Sequence, residues 1–408
     1  MTNIEKNKNT EKNNYALCPE CLSRIYRKPE DKKNSKIPLI TDSKKCSICN
    51  NLMLNKDKLY NIILKKINLL NIEFDTFLIA CQINNQTLIK NQQKINKITN
   101  YNGNNDLKHA IRRDMTQMLV EKLGKTVDYK NPEVVIMIKV RKKAYKHNPY
   151  YEIKNVNIFL DSNPIFIEGK YRKLVRGIPQ TKWPCTECKG KGCEACNYTG
   201  RQYEDTVEDL ISKQILKMTR GNSTKFHGSG REDIDVLMLG EGRPFVIEVK
   251  HPFKRKIDLK LLRRLVNSHS DGKIEINDLK YVDRTRKATI KNSSVESYKI
   301  YSAIADFEKG VTSKDIAAIE KLKIIEQRTP IRVEHRRADL IRTRKINNIE
   351  VERINSKQLR IIINCQGGLY IKELISGDDN RTKPSISQIT NNKAICSQLD
   401  VLKVHIPI

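Results

Sequence analysis

The segment His227–Phe245, HGSGREDIDVLMLGEGRPF, gathers Glu232, Asp233 and Asp235 between glycines and two arginines. Asp233-Ile234-Asp235-Val236 alternates polar with apolar. A strand there puts both aspartates on one face and the two aliphatic residues on the other. Gly228 and Gly230 permit a tight turn just before it, because glycine takes up positive φ without steric cost. Arg231 and Arg243 flank the acids, close enough in sequence to complement a carboxylate.

Two chemistries suit this arrangement. Asp235 followed by Glu248-Val249-Lys250 has the D…E-x-K pattern of metal-dependent nucleases, in which two carboxylates hold a divalent ion and the lysine assists the attacking water. That pattern is short, and it recurs by chance in chains rich in Lys and Glu. Alternatively, a single ionised aspartate beside a basic residue acts on a nucleoside as nucleophile or base, with no cofactor. The nuclease leaves four later motifs unexplained: ESYKIYSA, QRTPIRVEHRRADLIRTRKI, CQGGLYIKELISGDDNRTKPSIS and LDVLKVHI.

The rest of the chain is basic. Its 408 residues carry a net charge of +30, so a polyanion is the expected partner, each neutralised phosphate releasing condensed counterions. Aromatic residues make up 6%, too few for a broad platform on which single strands stack, so folded RNA gripped by its backbone fits better. No apolar run is long enough to span a membrane, and the polar start MTNIEKNKNTEKNN lacks an apolar signal core. A cytoplasmic location is expected. The 11 cysteines are then metal ligands or buried thiols rather than disulfides.

Residues 1–14 are expected to be a disordered polar tail. Cys18-x2-Cys21 and Cys46-x2-Cys49 within a module at 15–54 offer four thiolates, the set that closes a structural zinc tetrahedron without an open position. Residues 55–182 mix helical and strand patterns: LYNIILKKINLL for a helix, VVIMIKV (134–140) and VNIFL (156–160) for strands, and the basic bridge IFIEGKYRKLVRG. Cys185, Cys188, Cys193 and Cys196 form a compact second cluster at 183–200, similar to a single copy of the cysteine modules of J-type chaperones. It is either a second metal site or a reduced surface hairpin. Val207, Leu210, Ile211 and Ile215 recur at helical spacing. From there to residue 408 a mixed, largely antiparallel α+β domain is expected, with strands at IRVEH, LRIIIN and VLKVHIPI and a helix at TSKDIAAIEKL capped by Thr312 or Ser313. Cys81, Cys365 and Cys396 read as buried small hydrophobes.

In order, the motifs GREDIDV, ESYKIYSA, the arginine run, GLYIKELISGDDNRTKP and LDVLKVHI, with the KYRKLVRGIPQTKWPC bridge and the cysteine modules, resemble the archaeal-type tRNA pseudouridine synthases that modify uridines 54 and 55 of the T-arm. The resemblance covers most of the chain. It implies an α+β catalytic domain at 201–408, preceded by a zinc module and a THUMP-like RNA-binding domain that grips the acceptor end of a tRNA. It implies no redox or nucleotide cofactor and no protein partner. Asp233 matches the catalytic aspartate; Asp235 does not, though alternation alone leaves the two equivalent. Glu232, Asp235 and Glu248 become supporting or structural residues.

Tyr298 matches the tyrosine that stacks on the target base, although such a ring is equally at home in a core. Ile371 backs the base, and Lys372, where many relatives carry arginine, pairs with the aspartate. Leu402 closes the pocket. Arg231, Arg336 and Arg337, with Arg332, Arg342 and Arg344, are candidates for holding the RNA while the base leaves its stack; the alternative is a solvated strand face. Three routes are open to Asp233: attack at C1′, attack at C6, or proton abstraction to a glycal. A non-catalytic tRNA-binding scaffold is the remaining alternative.

Overall fold

The computed structural model describes residues 15–26, 37–40, 45–99, 106–142, 153, 155–292 and 297–405; the expected tail at 1–14 and the last residues of VLKVHIPI lie outside these. The chain divides into two units, 1–163 and 164–408.

In the first unit, Cys18 caps helix α1 (Pro19–Ile25) through its sulfur, and Leu17, Ile37 and Ile48 are buried around the cysteines. Helix α2 (Lys56–Leu70) confirms the LYNIILKKINLL pattern. Strands β1 (Thr76–Asn84), β2 (Thr126–Val127), β3 (Val134–Arg141) and β4 (Val156–Ser162) form a four-stranded sheet in the order β2-β1-β3-β4. β3 runs parallel to β1 because helices α3 (Gln86–Ile98) and α4 (Leu107–Leu123) intervene, and parallel neighbours need such a crossover.

The second unit is built on a ten-stranded sheet. Its members include β5 (Ile165–Lys173), β6 (Ser223–Gly228), β7 (Leu237–Lys250), β8 (Ile274–Val282), β9 (Tyr298–Phe307), β10 (Ile324–Arg328), β11 (Ile341–Asn355), β12 (Gln358–Gln366), β13 (Thr382–Lys383) and β14 (Ala394–His405). The order is β13-β10-β11-β12-β9-β14-β7-β5-β8, with β6 also on β7. All pairings are antiparallel except β14 with β7, as the expected mixed, largely antiparallel sheet requires. Helix α5 (Val207–Thr219) buries Val207, Ile211 and Ile215 against the sheet, and a later helix, Ser313–Glu320, starts at the Thr312 cap.

Three expectations change. Its composition puts the basic bridge in the RNA-binding domain ending at 182, but β5 pairs with β7 and β8, so the boundary falls between Asn163 and Pro164 and the second cysteine cluster lies inside the catalytic unit. IRVEH is a 3-10 helix, Ile331–Arg336, not a strand: Pro330 has no N–H for a ladder, and its carbonyl instead accepts from Val333 N. The third change is the opening segment. Asp233–Val236 is a turn rather than a strand, because side chains take the carbonyls that a neighbouring strand would have used.

Candidate active site

The turn bearing Asp233 joins β6 to β7 and is fixed by the 170–180 bridge. Lys173, fully buried, donates its three N–H groups to the carbonyls of Ile178, Asp233 and Ile234 at 3.0, 3.0 and 3.1 Å. Gly177 N donates to Ile234 O, and Arg176 donates to Asp235 O and Leu399 O. Gln180 donates to Gly230 O, whose residue has φ +74, the left-handed conformation the sequence anticipated. Burial lowers the pKa of Lys173 to about 8.

Glu232 points away from solvent. Its carboxylate lies 2.8 Å from Arg243 Nε and accepts from the Tyr171 hydroxyl at 2.7 Å. Arg243 also donates to Ser229 O. Glu232 is therefore a structural anchor. Glu248, on β7, likewise contacts His227 and Lys287 rather than Asp235. Among the described residues the only groups of three or more His, Cys, Asp or Glu side chains placed to hold a metal are the two cysteine sets, so the D…E-x-K segment does not assemble a carboxylate metal site.

Asp233 lines a cleft of about 520 Å³ with Arg231, Tyr301, Val333, Arg337 and Ile371, among others. Arg332 Nη1 is 2.8 Å from Asp233 Oδ2, and its Nε reaches buried Glu373 at 2.5 Å. Lys372 Nζ is 3.9 Å from the same Asp233 oxygen but 2.6 Å from Asp235 Oδ2. Burial opposes charge on Asp235, yet the Lys372 ammonium outweighs it and holds that carboxyl below its usual range. The basic residue expected beside Asp233 is present, then, but the closer cation is Arg332, assigned from sequence only to the RNA backbone.

Two of the expected site residues do not line the cleft, while residues nearby in sequence do. Tyr298 stacks on His405 with ring centroids 4.4 Å apart and does not line the cleft; Tyr301 does. On β9 the inward face carries Lys299, Tyr301, Ala303 and Ala305, and Tyr298 is on the other face. The signal was in ESYKIYSA itself, since alternation with the two alanines selects the second tyrosine. Likewise Leu399 and Val401 line the cleft, whereas the backbone of Leu402 packs on Gly240. Ile371 lines the cleft. Arg231, Arg337, Arg342 and Arg344 join Arg332 in the lining, and Arg231 also stacks over Trp183 at 5.5 Å. The side chain of Arg336 lies outside the described residues.

Each cysteine set brings its sulfurs within 4.8 Å of one another. Tetrahedral zinc with Zn–S of ~2.3 Å demands sulfur–sulfur edges of ~3.8 Å. Cys18 and Cys49 are 3.7 Å apart, Cys185 and Cys193 3.9 Å, and Cys188 and Cys196 3.8 Å. Backbone N–H groups of Gly192 and Gly200 and the Arg24 guanidinium donate to sulfur, as the surroundings of a thiolate should. Both sets are consistent with a structural metal and suit zinc.

The family described as Pus10, C-terminal, matches residues 166–405, and the one described as Pus10 THUMP domain, archaeal, matches 63–139. The tRNA pseudouridine synthase Pus10 of Methanosphaera stadtmanae is 80% identical over 404 residues, 99% of each chain. Those of Methanothermobacter marburgensis and Methanocaldococcus jannaschii are 40% and 44% identical, over 96% and 89% of this chain and 96% and 76% of theirs. The first match starts in β5 and so takes in the bridge, the second cysteine set, the Asp233 turn and every strand of the cleft; the chain belongs to the Pus10 family of tRNA pseudouridine synthases, which are isomerases and not nucleases.

Proposed function

We propose that the chain isomerises uridines 54 and 55 of the tRNA T-loop to pseudouridine, with Asp233 as the catalytic group. The observation that carries this is the placement of Asp233, 26% exposed at its side chain, within a cleft otherwise ringed by Arg231, Arg337, Arg342 and Arg344. The ring draws in the RNA backbone, and the Asp233 carboxylate within it meets the extruded nucleoside. The C1′–N1 bond breaks, the base turns, C5 bonds to C1′, the C5 proton is lost and N1 gains one. All three routes begin at Asp233. Tyr301 and Ile371 supply the apolar and aromatic walls for the base, with Leu399 and Val401 beside them.

Zinc held by the two cysteine sets would supply no chemistry to this reaction, because four thiolates leave it no open position. The sets would stiffen the modules that carry them. The THUMP domain is suited to gripping the acceptor end of the tRNA. Reduced cysteine sets fit the cytoplasm, and no described helix is long and apolar enough to cross a membrane.

Site-resolved pseudouridine mapping on an unmodified tRNA transcript tests the proposal. Wild type should convert positions 54 and 55, and Asp233→Ala neither. Cleaved RNA as the product, or turnover surviving in Asp233→Ala, would overturn it.

A further inference from the structure

Lys299 and Lys173 are both buried, but they are not treated alike by the fold. Lys173 has a carbonyl for each N–H. Lys299, 7% exposed on the inward face of β9, lines the same cleft as Asp233, and among the described residues its ammonium has neither a hydrogen bond nor an ion pair. It sits beneath the turn that presents Asp233: a Cβ built on Gly230 would lie 3.1 Å from Nζ.

The neighbours compensate it only in part. From β7, Arg243 repels it; Glu232 attracts it, but its carboxylate is held by Arg243 and Tyr171. From β12 it meets Cys365, and on its own strand Tyr301 is the next residue facing inward. An ammonium that faces the cleft with little access to water and no protein partner is held at a cost in stability, and groups held at such a cost recur where a ligand completes them. A ligand that brings an acceptor or a negative charge into this cleft would complete it. The arginines at the rim suit phosphates, but Lys299 lies below them, beside the catalytic turn and Tyr301.

We propose that Lys299 contacts the detached uracil ring and stabilises the negative charge it carries during the isomerisation. This rests on the synthase function proposed above. When C1′–N1 breaks, the bonding pair stays on the base and spreads over N1, O2 and O4. C1′ is left bonded to the Asp233 carboxylate or as the glycal. Lys299 donates one N–H to a carbonyl oxygen of the ring and keeps its own protons throughout. C5 then bonds to C1′, releasing the Asp233 carboxylate from the adduct or, from the glycal, taking back onto C2′ the proton that Asp233 had removed; the C5 proton passes to water, and N1 takes one up. Donors placed where charge develops accelerate reactions because they need no reorganisation at that moment.

The test compares wild type, Lys299→Met and Lys299→Arg on an unmodified tRNA transcript, by single-turnover pseudouridine formation, tRNA affinity and thermal melting. Lys299→Met should react ~10²–10³-fold more slowly. Its tRNA affinity should stay within ~3-fold and its melting temperature should rise, because an uncompensated charge has been removed. Lys299→Arg should recover part of the rate. A Lys299→Met rate within ~3-fold of wild type would overturn the proposal, as would a loss of affinity equal to the loss of rate, which marks a ground-state phosphate contact. Should Lys299→Met not fold, Lys299→Gln serves the same comparison. Wild type that makes no pseudouridine sinks the synthase function itself, a different outcome from wild type and Lys299→Met turning over equally.

Discussion

Arg332 Nη1 lies 2.8 Å from Oδ2 of Asp233, closer than Lys372 at 3.9 Å, and the same guanidinium reaches Glu373 through Nε. One side chain thus orients the Asp233 carboxylate and neutralises a buried one. Arg332→Met should lower turnover by ~10²-fold, more than Lys372→Met does, because Lys372 spends its shorter contact on Asp235. It should also destabilise the fold by ~1–3 kcal/mol, since Glu373 would keep its charge without a partner while the half-open site softens the loss. Adding Glu373→Gln should restore most of the stability and none of the rate. Urea unfolding midpoints and single-turnover rates for the two single variants and the double variant check this; equal effects on rate from Arg332→Met and Lys372→Met would count against it.

The two tyrosines of ESYKIYSA should separate cleanly. Tyr301 faces the cleft, so Tyr301→Ala removes a wall of the base pocket and should lower the rate by ~10²-fold or more. Tyr298 stacks on His405 across β9 and β14, so Tyr298→Ala should cost ~1 kcal/mol of stability and leave the rate within ~3-fold. Pseudouridine formation and thermal melting of the two variants decide it. The reverse order of rates would return the base-stacking role to Tyr298.

The large features were legible in the sequence because they are written in local chemistry. Cys-x2-Cys spacing forces a knuckle, and the helix at Ser313–Glu320 carries its own cap. The motif around Asp233 also marked out a residue that lines the cleft. What was not legible depended on groups far away in sequence. Asp233–Val236 alternates like a strand, but Lys173 and Arg176, some 60 positions earlier, take its carbonyls. Arg332 reads, with its basic neighbours, as an RNA contact, because nothing local to it reveals Asp233 and Glu373. The bridge was assigned to the wrong unit because β5 has the same β-rich composition as the strands before it, and only its pairing with β7 and β8 places it. Tyr298 and Leu402 do not line the cleft while residues a few positions away do, because the face of a strand, not the motif, selects the side chain.

Lys173 and Lys299 make stability depend on alkaline pH. Burial holds each at a pKa of about 8, against an ordinary value of 10.5. Between these pH values the unfolded chain binds more protons than the folded one, so this contribution to stability rises as pH rises from about 8 towards 10.5 and is absent below. Each lysine can supply up to ~3 kcal/mol of that rise. Lys299→Met should therefore exceed wild type in stability at pH 7, and the gap should close by pH ~10 as wild type sheds its buried proton. Denaturant unfolding of both proteins from pH 7 to pH 10 measures this; a gap that stays constant would mean that Lys299 is not held uncompensated.

The single tryptophan makes the second cysteine set separately observable. Trp183 precedes Cys185 by two residues, its carbonyl accepts from Gln202 N across the base of the loop, and its ring meets Tyr203 edge-on at 5.8 Å. Arg231 lies over the same ring and lines the cleft two residues before Asp233. Metal loss from Cys185, Cys188, Cys193 and Cys196 should free the loop and shift Trp183 emission, whereas loss from Cys18, Cys21, Cys46 and Cys49 should not, because no tryptophan belongs to that unit. Purified protein should carry two equivalents of zinc, and Cys46→Ser or Cys196→Ser one each. Slow chelation should change the fluorescence of wild type and Cys46→Ser but leave Cys196→Ser, already shifted, without a further change. The rate of pseudouridine formation should follow the fluorescence rather than total zinc, since the Trp183–Arg231 contact ties that loop to the rim of the cleft. Activity that survives complete loss of the Trp183 signal would show that the second set supports its own loop and nothing beyond it.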